Sequence, residues 1–124
     1  MARGYIAVLA GGALGTLLRY AAGTFIMTRF GGRFPLGTLA VNVSGCFLMG
    51  LLMTLFTERF APHPHLRLLL TTGFLGGFTT FSALEWETYA AVRDGDAWIG
   101  LLNLLASAIV GYVAVLLGVV LGRQ

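Results

Sequence analysis

Four long apolar stretches alternate with short segments rich in charge, Pro and Gly: Tyr5 to Met27, Leu36 to Phe56, Leu66 to Ala91 and Ala97 to Leu121. Each is long enough for a helix that crosses a hydrocarbon core, which takes about 20 residues. The intervening Thr28 to Pro35, Thr57 to His65 and Val92 to Asp96 read as turns at a bilayer surface. The pattern predicts an all-α membrane protein, a single domain over 1–124 with spans at about 5–27, 36–56, 66–91 and 97–121. The third stretch departs from it. "GFLGGFTTFS", Gly73 to Ser82, packs three glycines and two adjacent threonines into ten residues. Backbone that leaves helical geometry at membrane depth survives only where protein or a polar cavity receives its freed groups. The third helix is expected to be broken there.

Composition strengthens the membrane reading. With 57% hydrophobic residues and only 8 basic and 5 acidic ones, a soluble domain of this length lacks polar surface. Met-Ala-Arg before an apolar run, with small residues at Ala10 to Ala13, would also suit a signal peptide. The length of that run and the three spans after it favour a retained helix. The one cysteine, Cys46, lies mid-span, makes no intrachain disulfide and reads as a small packing residue. With four spans, Arg3, Arg59, Arg67 and Arg123 fall on one side, against Arg29, Arg33 and Arg93 on the other. That bias is too weak to fix sidedness, so insertion in both orientations fits. The net charge of +3 suits contacts with lipid headgroups, and no basic cluster interleaved with exposed aromatics points to nucleic acid.

Helices in lipid associate through close contact at small residues. Gly11, Gly15 and Ala22 fall near one face of the first span with Gly12 and Thr16 beside them, and Gly37, Ser44 and Gly50 are read the same way in the second. These faces either pack helices within one chain or join two chains; with sidedness undecided, they fit an antiparallel homodimer. No repeat relates the two halves, so an inverted repeat within one chain is not expected. Trp86, Tyr89 and Trp98 form an interfacial anchoring belt. His63 and His65, flanking Pro64, lack the further ligands a metal site needs and read as solvated loop residues.

Several polar residues stand where lipid would penalise them. Arg19, eight residues before the end of the first span, either snorkels to headgroups or draws an anion to a pore mouth. Thr38 and Asn42 share a face of the second span, and Asn103 and Ser107 repeat that spacing in the fourth, with Gly111 one turn on. Either the pairs bond one another across helices or they line a narrow polar track. There is no His within a span, no Ser and His pair, no thiol couple and no phosphate-cradling loop followed by Lys, so enzyme chemistry is not expected. Carbonyls exposed by a break are ligands for a small hard cation, and a two-fold axis through it would gather two sets. Phe81 is either plain packing or, through its positive ring edge and the donors around it, a weak anion holder suited to passage.

"GGALGTLLRY", "GTLAVNVSGCFLMG" and "GFLGGFTTFS" together resemble the CrcB, or Fluc, family of fluoride channels, over nearly the whole chain and in the same order. The resemblance implies a dual-topology antiparallel homodimer in a bacterial or archaeal plasma (inner) membrane. It would export fluoride passively through two pathways, relieve fluoride toxicity and hold a sodium ion at the dimer centre. By position, it implies sodium ligands in the carbonyls of Gly76 and Thr79. It also implies a first pathway ring at Phe81 and pathway groups at Asn42 and Ser107, with Thr38, Thr80, Ser82 and Glu87 beside them and Arg19 at the vestibule. Two positions depart from the family: Leu84 replaces a frequent second phenylalanine, and Asn103 a tyrosine of some relatives. Conduction slower than in relatives with both rings is expected. Two rivals remain, a small multidrug-type exporter and a non-transporting scaffold. The first needs a carboxylate in the first helix, where this chain has only Arg19.

Overall fold

The computed structural model describes all 124 residues, and every regular element is helical. Helix α1 spans Ala2–Phe30 and α2 spans Leu36–Thr54, running on through a wider π-helical turn at Leu55–Arg59. A short α3, Pro64–Leu68, leads into a π-helical segment, Leu69–Leu75, and then a single turn, α4, Gly76–Phe78. Helices α5, Phe81–Arg93, and α6, Ala97–Arg123, complete the chain. Ala2–Phe30, Leu36–Arg59 and Ala97–Arg123 are each long and apolar enough to cross a membrane. The chain is an all-helical, multi-pass membrane protein. Only 20 of its 124 residues are buried, and Leu, Val, Ile and Phe side chains cover the outward faces of α1 and α6. Such a surface suits lipid as the solvent.

Close backbone approach holds the helices together. Helix α2 packs along α6, α1 against the π-helical segment, and α5 against α6. At Gly15 an added Cβ would run into the Phe74 carbonyl and lie 3.0 Å from the Phe78 nitrogen; at Gly118 it would meet the Phe47 carbonyl. Only glycine lets these backbones touch. Gly12 and Thr16 do sit beside that contact, against Gly77. The second span differs from expectation: Gly37 faces Gly23 of α1, Gly50 faces Val115 of α6, and Ser44 is exposed and bonded to its own helix. The reason is geometric, since 13 residues at about 100° each carry Gly50 to the far side of α2 from Gly37.

Between α4 and α5 the chain is extended, with φ, ψ of −95°, 156° at Thr79 and −148°, 122° at Thr80. The donors there are redirected. Thr80 N–H, which in a continuous helix would reach the Gly76 carbonyl, goes to Asn42 Oδ1 at 2.7 Å. Ala83 N–H, which would reach the Thr79 carbonyl, goes to the Thr80 hydroxyl at 3.2 Å, an N-cap for α5. Beneath this segment Val41, Leu75 and Phe78 form the buried core.

Candidate functional site

Asn42 is the hinge pin of the extended segment. Its side-chain amide donates to the Thr80 carbonyl at 2.9 Å and accepts from the Thr80 N–H at 2.7 Å, a complete two-way pairing between α2 and the start of α5. One turn away on the same face of α2, Thr38 Oγ1 donates to Glu87 Oε1 at 2.7 Å, while Glu87 Oε2 is buried without a partner. Arg19 reaches across from α1, its Nε donating to the Gly77 carbonyl at 3.1 Å. Asn42, Arg19 and the Thr80 hydroxyl thus engage groups of the opened stretch, and the helical partners of the Gly76 and Thr79 carbonyls are diverted.

A cavity of about 790 Å³ opens beside this stretch, with Arg19, Tyr20, Thr24, Thr38, Thr80 and Glu87 in its wall. A second, of about 330 Å³, shares Met27, Thr38 and Glu87 with it and leads to Arg33, Asp94 and Asp96. Together they form a recess from a charged rim to Thr80, with polar side chains set in a largely apolar wall. Arg33 and Asp96 stand 3.6 Å apart at that rim.

The two polar pairs do not bond one another. On α6, Asn103 is 1% exposed; its Nδ2 donates to Thr88 Oγ1 at 3.1 Å and weakly to the Leu84 carbonyl at 3.5 Å. Its Oδ1 and the Ser107 hydroxyl are buried with no partner. Each stripe therefore turns towards α5 or is left open, and neither completes the other. Phe81 and Ser82 are exposed on α5, Phe81 strongly so at 74%, whereas Leu84 is buried. The structure brings Arg19, Thr38, Thr80 and Glu87 to one recess, with Asn42 behind its wall through its pairing with Thr80; it keeps Asn103 and Leu84 at the α5–α6 contact, the Ser107 hydroxyl buried on α6, and Phe81 and Ser82 on an open face. Gly76 and Thr79 lie at the junction.

The profile of the family described as "CrcB-like protein, Camphor Resistance (CrcB)" matches residues 6–119. The chain belongs to the CrcB family. Among curated relatives, a protein of Solibacter usitatus named "Fluoride-specific ion channel FluC" is 59% identical over 120 residues, covering 97% of this chain and 98% of the relative. Relatives of the same name are 45% identical in Acidobacterium capsulatum, covering 97% of this chain and 96% of theirs, and 43% identical in Desulforapulum autotrophicum, covering 96% and 95%.

Some features of this CrcB-family site escape sequence reasoning. The Arg19 bond to the Gly77 carbonyl is one, because nothing in the spacing of Arg19 and Gly77, 58 residues apart, signals that they meet. The capping role of Thr80 carried a signal: a threonine directly before a helical run is a standard N-terminal cue. The Met27 sulfur, which accepts from Gly37 N–H at 3.3 Å at the start of α2, carried none.

Proposed function

We propose that this CrcB-family chain is a passive fluoride channel and not an enzyme, working as an antiparallel, dual-topology homodimer in a bacterial or archaeal plasma membrane. The third span is a broken helix, opened at Thr79 and Thr80. The observation that carries the reading is the diversion of Thr80 N–H and Ala83 N–H, which leaves the Gly76 and Thr79 carbonyls without their helical partners. Unmet carbonyls at membrane depth demand a partner. Two copies related by a two-fold axis at that point would present four such oxygens, a donor set suited to sodium. When bound, sodium supplies fixed positive charge that ties the two copies together. The relatives' name supports fluoride as the ion.

On this reading Arg19 supplies positive charge in the wall of the recess and holds the opened turn through Gly77, so anions are drawn in without being locked to a free charge. Thr38, Asn42, Thr80 and Glu87 line the inward route, and Asn103 and Ser107 continue it on α6. Phe81 and Ser82 face the second copy, with the ring edge of Phe81 as an anion contact. Two copies give two such routes, and export down the gradient lowers internal fluoride.

The test is ion release from reconstituted vesicles loaded with potassium fluoride and given a potassium ionophore. Fluoride release above that of protein-free vesicles supports the channel; proton-coupled uptake of a cationic drug, or silence in both assays, overturns it. A Leu84→Phe variant, which returns a ring to the departed position, is expected to raise the fluoride rate by about two-fold or more. An unchanged or lower rate in a variant that elutes like the parent would remove Leu84 from the route.

A further inference from the structure

Five acidic residues occur in the chain, and four are engaged. Glu58 binds Arg123 at 3.0 Å, Asp94 binds Arg93 at 3.1 Å, Asp96 faces Arg33 at 3.6 Å, and Glu87 accepts from Thr38. Glu85 alone has neither a hydrogen bond nor an ion pair. It is exposed, and it lies on α5 one turn after Phe81 and eight residues, about 12 Å of helical rise, before the terminal Arg93. An ionisable side chain within a membrane segment faces lipid only at a cost; the usual resolution is a water-filled or protein-covered face.

The neighbours of Glu85 identify that face. Glu85, Phe81, Ser82, Trp86 and Tyr89 line a shallow groove of about 630 Å³, and every one of them belongs to α5. Phe81 and Glu85 are four apart, so the carboxylate sits one turn above the ring on the same side of the helix. The other titratable groups here are on α5 as well: Tyr89, and Arg93, whose guanidinium lies 6.0 Å from the Trp86 ring and 5.8 Å from that of Tyr89. Glu87 is turned to Thr38 of α2.

We propose that Glu85 lies on the fluoride route and that its negative charge sets the rate of passage, an inference that rests on the channel function above. An ionised carboxylate one turn from Phe81 repels an approaching fluoride, and away from bulk water that repulsion reaches across several ångströms. Glu85 then acts as an electrostatic brake on passage.

The experiment compares fluoride efflux at neutral pH from vesicles holding the wild-type chain, Glu85→Gln and Glu85→Asp, with leak from protein-free vesicles subtracted. Glu85→Gln is expected to raise the neutral-pH rate about ten-fold, while Glu85→Asp stays within about two-fold of wild type. A Gln variant equal to wild type overturns the proposal, as does one that falls below wild type while Asp retains the rate, since the carboxylate would then serve pairing between copies. Where the Gln chain fails to fold, Glu85→Ala repeats the test: a folded Ala variant that conducts no faster than wild type overturns the idea. Wild-type vesicles that release no more fluoride than protein-free ones overturn the channel function itself, and this inference with it.

Discussion

A Gly15→Ala chain is expected to lose most of its folded, monodisperse yield, and any folded fraction is expected to be destabilised by about 3 kcal/mol or more. The added Cβ would collide with the Phe74 carbonyl and press on the Phe78 nitrogen, and both are backbone atoms that no rotamer change can move. Relief requires α1 to withdraw from the π-helical segment, which would also pull Arg19 away from Gly77, one turn further along. Gly23→Ala is the matched control: nothing lies within 4 Å of the added atom, so its yield and thermal midpoint should stay near wild type, within about 0.5 kcal/mol. Size-exclusion profiles and thermal melts in detergent decide it. A Gly15→Ala protein as stable as the Gly23→Ala protein would mean that the two backbones do not touch.

Asn42→Asp is expected to abolish fluoride flux, by about a hundred-fold or more, with the fold retained. Two effects act together. Aspartate still accepts from the Thr80 N–H but cannot donate to the Thr80 carbonyl, so half of the pairing at 2.9 and 2.7 Å is lost. It also places a negative charge beside the proposed anion route. Efflux from vesicles checks the rate and elution volume checks the fold. Flux that persists with the aspartate ionised would take Asn42 off the pathway.

Apolar length was enough to find α1, α2 and α6, because hydrocarbon thickness constrains spanning helices directly. Their ends were less legible. Helix α1 begins at Ala2 and runs to Phe30, beyond the Tyr5 to Met27 stretch, since Arg3 and the Thr28–Phe30 tail sit comfortably in a helix that emerges from the bilayer. The π-helical turns left no trace, because their setting is tertiary: Leu69–Leu75 winds against the bare face of Gly11 and Gly15. For the polar residues, periodicity placed Thr38 with Asn42 and Asn103 with Ser107, yet it could not name partners. The partners lie on α5 and its entry, 38 residues from Asn42 and 15 from Asn103, and only the path of the chain brings them within reach. For Arg19 the sequence offered headgroups or a pore mouth, and the Gly77 carbonyl is a further contact that only the fold reveals.

Shelter of the opened backbone at Thr79 and Thr80 by a second, inverted copy is tested most directly by measuring the sidedness of the first loop. Gly32 stands in open space there, so a Gly32→Cys substitution in a Cys46→Ser background adds a reporter without crowding. In intact cells a membrane-impermeant thiol reagent is expected to label about half of the chains, and the rest only after permeabilisation. Labelling of all chains from one side, or of none until the membrane is opened, would contradict the inverted pair.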